Sequence, residues 1–555
     1  MHVNATNLPT NNAKRSHVAI VGAGPGGLAA AMLLAARGVR VTVYEAQPEI
    51  GGRTSRITLR DPADQADFHF DRGPTFFLMP YVLEEIFAAT GRRLTDHADL
   101  TRLDPMYRLL VGQPGAASGA PPITIDATQN VAEMARRLAT LNPADGPAFE
   151  SFIADNRAKL RLMEPILRAP IRSVRDLMTA GSMKFLPHLH PLSSVNDLLS
   201  RYFKHPATRL AVSFQSKYLG MSPYDCPSLF TILPFIEYEY GIWHPKGGCN
   251  ALMQAMAAVC RDMGVVIRTG SPVKRVLFRG RKARAVVVGG QSVGDDEEIP
   301  HDHVVINADA AWALKNLIPE SLRSSTDNTD AALDSKRYSC STFMMYLGID
   351  GTVDLPHHTI YISSKYKDNL DNISKHARLS EDPSVYLCNP SATDPTLAPR
   401  SASALYVLMP TPNTRGDIDW SSALPKLEND TLSQLESRFG LKDIRRRIRV
   451  KHLCTPSDWA GMNINFGATF NLAHNLGQML HKRPQHRLPY VEGVWLVGGG
   501  THPGSGLPVI FLSSQITARL LADELGLPEP AARPRVLSTI EAAGVRSPVP
   551  AGVGA

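Results

Sequence analysis

No stretch of about 18 consecutive apolar residues occurs in the 555-residue chain, which excludes a membrane-spanning helix by the length criterion. The cysteines, at positions 226, 249, 260, 340, 388 and 454, include no C-x-x-C pair. Their spacing suits neither a zinc site nor a disulfide framework, so no metal is expected. Buried, reduced thiols in a cytoplasmic setting are the expectation. Met1 to Ser16 is polar and rich in Asn, without the apolar core of a secretory leader. No internal repeat is present.

What the chain has is enough length for two or three domains. Hydrophobic residues make up 43% and charged residues 20%, the composition of a soluble globular protein. The net charge of +7 is unevenly placed. Between Arg157 and Lys217 stand eleven Lys/Arg and only three acids, so this segment carries +8 and the remainder about −1. The charges alternate with Leu160, Leu162, Met163, Ile166, Leu167, Leu177, Met178, Met183, Phe185 and Leu186. That mixture suits an interfacial helix on an anionic membrane better than a nucleic-acid groove.

The first ordered element is the apolar run His17 to Val21, which reads as a buried parallel strand. Gly22-Ala-Gly-Pro-Gly-Gly27 follows and fits G-x-G-x-x-G. Leu28 to Arg37 reads as a helix closed by Gly38, and Val39 to Tyr44 as a second strand ending at Glu45. In this context Gly22 permits the tight turn, Gly24 admits a pyrophosphate to the backbone, and Gly27 permits close helix–strand packing. The phosphates would lie at the positive end of the helix beginning near Pro25, beside Gly26. The Glu45 carboxylate, next to Ala46, stands where a ribose hydroxyl pair would lie. A dinucleotide site follows, but these residues alone do not separate NAD from FAD.

Farther along, residues from about Asn130 to Lys217 read as helical, and Leu233 to Gly248 is aromatic and glycine-rich. Asn250 to Met263 reads as a helix and Gly264 to Arg268 as a strand. Val273 to Phe278 and Ala283 to Val288 read as a hairpin with Gly280 near the turn. His303 to Asn307 and Gly493 to Val497 read as buried strands, and Tyr338 to Leu347 and Ser403 to Met409 as parts of a second sheet. A long apolar helix is expected up to about Leu525, followed by a loose Pro/Ala-rich tail from Pro528.

Gly51-Gly-Arg53 matches the second glycine pair of FAD-binding amine-oxidase-type flavoproteins, and Asp71-Arg-Gly-Pro-Thr75 resembles their D-x-G-P-T segment beside the flavin. Trp495-Leu-Val-Gly-Gly-Gly-Thr-His-Pro-Gly-Ser-Gly-Leu-Pro508 closely resembles the C-terminal motif of bacterial phytoene-desaturase-type carotenoid desaturases. Trp243 to Gly248, Val304 to Asp309, Asp394 to Pro399, Tyr406 to Pro410 and His481 to Pro484 resemble further segments of that family in the same order. The resemblance spans roughly residues 16 to 526.

The resemblance implies an α/β fold: a Rossmann-type FAD-binding domain of amine-oxidase-like flavoprotein type, a mixed β-sheet substrate domain and a helical membrane-facing subdomain. The FAD-binding domain is expected in three parts (16–110, 240–315, 451–527), the substrate domain in two (111–150, 316–450) and the helical segment at 151–239, with disordered tails at 1–15 and 528–555. Implied FAD contacts are Gly22, Gly24, Pro25, Gly26, Gly27, Glu45, Ala46, Gly51, Gly52, Arg53, Gly73, Pro74, Thr75, Val273, Gly499, Gly500, Gly506, Leu507 and Pro508. A helix starting near Pro508 would aim its dipole at the pyrimidine side of the flavin and favour the reduced anion.

The implied substrate is an acyclic polyene hydrocarbon such as phytoene or 4,4'-diapophytoene, held by apolar burial at roughly 25 cal/mol per Å². Desaturation would transfer a hydride to the flavin with proton loss next door, and oxygen or a quinone would take the electrons. Asp155 and Arg157 are the candidate catalytic pair, with Glu237, Glu239, Tyr240, His244 and His502 as further candidates. Bulky Val509 and Leu512 resemble the C30 branch. A diapocarotenoid terminal oxygenase and a carotene cis-trans isomerase remain as alternatives. An amine-oxidase-type enzyme would want an aromatic cage, for which Trp459, Phe466 and Phe470 are too few and too loosely placed in sequence.

Overall fold

The computed structural model describes residues 16–113, 115, 120–177, 193–290, 294–323 and 326–528. The expectations for the tails, apart from residue 16-onward and Pro528, and for Met178, Met183, Lys184, Phe185 and Leu186 lie outside the described residues.

Strand His17–Val21 sits centrally in a five-stranded sheet, between His303–Ile306 and Arg40–Tyr44, with Val494–Leu496 and Val266–Arg268 at the edges. All four pairings are parallel. Parallel strands buried on both faces need apolar residues at every position, which explains why these runs stood out in the sequence. The first helix, Pro25–Ala35, starts three residues earlier than the apolar pattern alone indicates, because Pro25 occupies its first turn. Its face is buried throughout, and it packs against the C-terminal helix Leu507–Glu524, where the Ser514 hydroxyl donates to the Gly26 carbonyl at 2.9 Å.

A seven-stranded sheet forms the second layer system, in the order Ile448–Cys454, Ser341–Asp350, Ala402–Thr411, Val385–Cys388, His358–Ile362, Tyr107–Val111 and Ile123–Ala127. It is mixed: His358–Ile362 runs parallel to Tyr107–Val111, and the other neighbours are antiparallel. The chain enters this sheet at Tyr107 and leaves it at Cys454, a few residues outside the expected boundaries at 111 and 450. Strand pairing across the sheet, invisible in local pattern, sets those ends.

Residues 273–300 form a separate three-stranded antiparallel meander, Val273–Arg279, Lys282–Val288 and Glu297–Pro300. The helical stretch resolves into Val131–Ala139, Asp145–Leu167, Val195–Tyr202 and Pro206–Ala211. Its apolar side chains, among them Phe149, Phe152 and Phe203, belong to the same buried cluster as Val18 and Leu28 of the parallel sheet. The helices therefore share a core with the Rossmann unit instead of closing a core of their own. Among the described residues, no helix is long and apolar enough to cross a membrane.

Candidate active site

The glycine turns exist because backbone meets backbone there. A Cβ on Gly27 would stand 2.1 Å from the Gly22 carbonyl oxygen, and one on Gly22 would stand 2.4 Å from the Asn307 carbonyl oxygen. Neither neighbour can yield, so only glycine lets the first helix, the first strand and the strand end at Asn307 converge. Asn307 closes the arrangement by donating from Nδ2 to the Gly22 carbonyl at 3.1 Å.

The convergence forms one wall of a cavity of about 470 Å³ that reaches from this turn to the seven-stranded sheet. Gly22, Gly24, Pro25, Gly26, Glu45, Ala46, Gly52, Arg53, Gly73, Pro74, Thr75, Val273, Gly499, Gly506, Leu507 and Pro508 all line it. Gly27, Gly51 and Gly500 do not. Gly27 packs on Gly22, and a Cβ on Gly51 or Gly500 would meet Thr54 or Ala310 instead of the cavity. These three shape the turns behind the wall.

Glu45 is buried, and burial raises its pKa, while backbone hydrogen bonds oppose the shift. Ala23 N–H donates to its Oε2 at 2.8 Å and Gln47 N–H to its Oε1 at 2.9 Å, which fixes the carboxylate at the cavity wall. Arg53 donates to the Thr469 carbonyl at 2.6 Å. Burial lowers its pKa and the charge of Asp309 raises it. Asn307 and Asp309, at the end of the V-V-I-N-A-D segment, line the cavity as well, although the sequence pattern marks them only as a strand end.

The C-terminal turn is braced from behind. Arg483 is buried and donates to the carbonyls of Gly499 at 3.0 Å, Leu472 at 3.2 Å and Ala473 at 3.3 Å. Burial depresses its pKa to about 10. Gly498 N–H donates to Ser513 Oγ at 3.1 Å, and the helix from Leu507 begins at the cavity wall.

The rest of the lining is largely apolar and aromatic. Phe76, Phe214, Tyr218, Tyr386, Tyr406, Trp459 and Phe470 belong to it, together with Leu78, Met221, Met344, Ile360, Leu370 and Leu408. Trp459 and Phe470, loosely spaced in sequence, thus line the same cavity as aromatics from four other segments. The Tyr386 hydroxyl lies 2.7 Å from Thr75 Oγ1, joining the sheet to the D-R-G-P-T segment. The Asp, Glu, Lys and Arg side chains on the lining are Glu45, Arg53, Asp309 and Lys217. The Lys217 amine lies 4.8 Å from the centre of the Tyr366 ring, and burial lowers its pKa to about 7. Sequence pattern places Lys217 in the basic surface segment, and the structure corrects this to a cavity residue.

Asp155 and Arg157 are not brought into the cavity. Arg157 makes a two-pronged ion pair with Glu239, with Nη2–Oε2 at 2.6 Å, and the Tyr202 hydroxyl donates to Asp155 Oδ2 at 2.5 Å. Both residues tie helices together. Glu237 accepts from the Tyr107 hydroxyl at 3.0 Å and from Gln215 Nε2 at 2.9 Å inside the core, and burial raises its pKa to about 7. The Tyr240 carbonyl accepts from Trp243 Nε1 at 2.8 Å. His502 pairs through Nε2 with the Ile166 carbonyl at 2.9 Å, linking the C-terminal turn to the helix Asp145–Leu167. His244 lies 3.3 Å from Asp394. None of these five further candidates lines the main cavity.

A glycine cradle at a helix N-terminus, a fixed carboxylate for a ribose and a second helix N-terminus across the space define a two-part dinucleotide cradle, the class to which flavoenzymes of this architecture belong. The model of the family "flavin containing amine oxidoreductase" matches residues 25–521. A 4,4'-diapophytoene desaturase (4,4'-diapolycopene-forming) from Methylomonas sp. is 40% identical over 92% of this chain and 96% of its own. An all-trans-zeta-carotene desaturase from Myxococcus xanthus is 38% identical over 92% of this chain and 94% of its own. Among solved structures, putrescine oxidase bound to putrescine shares the fold, with a TM-score of 0.57 at 14% identity over 92% of this chain and 99% of that one. The chain belongs to the flavin containing amine oxidoreductases, in the FAD-dependent group that holds the phytoene and diapophytoene desaturases.

Proposed function

We propose that the chain is an FAD-dependent desaturase that introduces double bonds into an acyclic carotenoid precursor such as phytoene or 4,4'-diapophytoene. The observation that carries this reading is the aromatic and aliphatic lining of the same cavity that the dinucleotide cradle walls. A hydrocarbon offers only surface to bury, and such a wall binds it through burial and through stacking on its π-system. The relatives named for carotenoid desaturation match this chain nearly end to end, which supports the same assignment. An amine cation would want an acidic partner among these aromatics, whereas the charged residue that shares the short helix Phe214–Leu219 with Phe214 and Tyr218 is the basic Lys217.

Bound FAD supplies the acceptor for the hydride taken from the polyene. Gly22, Gly24, Pro25, Gly26, Glu45 and Arg53 on one side and Gly499, Gly506, Leu507 and Pro508 on the other would hold that cofactor. The apolar wall orients the polyene and keeps water out of the site. Lys217 lines the same cavity and burial lowers its pKa to about 7, so its Nζ is the group on the lining suited to take up the proton released from the adjacent carbon.

The same proposal includes a membrane-facing surface on the helical segment and a peripheral, cytoplasmic location. Arg161, Arg172, Arg175, Arg201 and Lys204 are exposed, and Val174 between two of them is 56% exposed. Arginines flanking an exposed apolar side chain suit an anionic lipid surface, where a water-insoluble substrate resides.

The test is product analysis. FAD-loaded protein is mixed with liposomes carrying phytoene or 4,4'-diapophytoene, and pigments are extracted. Absorbance bands moving to the red with loss of hydrogen mass support the desaturase. New carbonyl products point to an oxygenase, new isomers of unchanged mass point to an isomerase, and no change with either substrate while FAD stays bound sinks the reading.

A further inference from the structure

Strands His358–Ile362 and Val385–Cys388 are antiparallel neighbours, and His358 stands directly opposite Cys388. With His357 they form a cluster of three buried side chains whose nitrogen and sulfur ligand atoms all lie within 4.8 Å of one another. Both histidines are held in one orientation through Nδ1, His357 by Thr393 Oγ1 at 2.9 Å and His358 by the Tyr386 hydroxyl at 2.8 Å. Their Nε2 atoms have no hydrogen-bond partner. Two bare ring nitrogens in a core cost free energy unless a bound species satisfies them. A void of about 10 Å³, large enough for one small occupant, is bordered by His357, Cys388, His244 and Asp71.

We propose that His357, His358 and Cys388 bind a zinc ion through His357 Nε2, His358 Nε2 and Cys388 Sγ. Two imidazoles and one thiolate are a borderline-soft set that suits Zn²⁺ and disfavours Mg²⁺ or Ca²⁺. The Nδ1 hydrogen bonds are the orienting contacts that zinc-bound histidines carry. Binding releases the Cys388 thiol proton to solvent, and the single positive charge then left on the zinc–thiolate unit is offset by the Asp71 carboxylate at the same void. Tetrahedral ligation needs ligand atoms about 3.3–3.8 Å apart, so the three side chains close by about 1 Å. Side-chain rotation on two already paired strands supplies that movement. The ion would clamp the part of the sheet that carries Tyr386, which holds Thr75, and His358, whose ring stacks on Phe76 at 4.1 Å. Thr75 and Phe76 both line the main cavity, so the site would fix its wall.

The test uses the full-length, FAD-loaded protein and does not depend on its substrate. After chelation and dialysis, Co²⁺ is titrated in and difference spectra are read to the red of flavin absorbance. Uptake of about one Co²⁺ per chain with the intense bands of a tetrahedral site, displaced by Zn²⁺, is expected. Cys388→Ser and His358→Asn should reduce metal uptake at least about tenfold, while Cys340→Ser leaves it unchanged. Wild-type protein that retains FAD but takes up neither Co²⁺ nor Zn²⁺ overturns the proposal, and shows that the void holds water. Bands that persist unchanged in Cys388→Ser overturn it too. If that variant does not fold, the wild-type titration still decides.

Discussion

Lys217 carries a penalty whose sign can be worked out. Burial lowers its folded-state pKa from 10.5 to about 7. Between these values the unfolded chain holds a proton that the folded chain does not, so stability rises with pH across that window. The destabilisation is complete below about pH 7 and fades as pH approaches 10.5. Lys217→Met is therefore expected to raise the melting temperature most near about pH 6.5 and little near about pH 10. The same variant should slow product formation about 100-fold. Calorimetry and a pH profile of kcat check the two halves. Equal gains in melting temperature at both pH values would refute the buried-amine account.

Arg483 makes a different case at the same scale. Its guanidinium spans four carbonyls behind the C-terminal glycine turn, and no local pattern beyond an R-P pair marks it. Arg483→Met leaves those carbonyls without their donor in a buried setting. A loss of about 3 kcal/mol is expected, together with weaker FAD retention, measured by denaturant unfolding and by flavin recovered after gel filtration. Glu45, Gly22 and Arg53 were legible as site residues because a fixed spacing relates them to a strand and a helix start. Lys217, Asn307 and Asp309 were not, since nothing local says which side of a helix or strand end faces the cavity.

Among the elements, the long helix Asp145–Leu167 shows what an ion pair does when it lies away from the site. Arg157 is 39% exposed and pairs with Glu239, which is 10% exposed. Arg157→Ala is expected to cost about 1 kcal/mol, the range of a partly solvated pair, and to leave the desaturation rate unchanged. Chemical unfolding and turnover measured side by side check this, and a rate fall beyond about tenfold with FAD retained would return Arg157 to the chemistry. The central parallel strands and the first helix were legible because their buried positions are apolar almost throughout, Thr42 being the exception. The helix Trp420–Arg438 was not, being polar over most of its surface and carrying Pro425 within it. Strand His358–Ile362 was hidden for another reason: it begins with a histidine whose partner, Cys388, lies 30 positions on.

For the whole molecule, the question is where the charge ends up. The +8 of segment 157–217 is not one uniform face. Lys159 is buried and donates to Thr231 Oγ1 at 2.8 Å, Lys217 reaches the cavity, Arg157 pairs with Glu239, and Arg168 pairs with Glu85 and Glu164. The exposed remainder predicts that replacing Arg172, Arg175, Arg201 and Lys204 together by Glu weakens sedimentation with anionic liposomes at least about tenfold, an effect that should shrink in high salt. Unaltered binding would place the membrane contact elsewhere. Because these four side chains are exposed, the melting temperature should stay close to that of the parent protein.

The sequence by itself determined the Rossmann unit and the two halves of the cofactor cradle. Each is a local strand–turn–helix in which glycines stand where backbone must approach backbone, and steric exclusion of that kind leaves its mark within a few residues. Only the tertiary structure decided which side chains share the cavity, that the helical segment has no core of its own, and that two histidines and a cysteine meet in the sheet. Those outcomes depend on pairings between strands and helices tens to hundreds of residues apart, and burial, which sets the pKa of Lys217 and the isolation of the histidine nitrogens, comes into being only when those distant surfaces close.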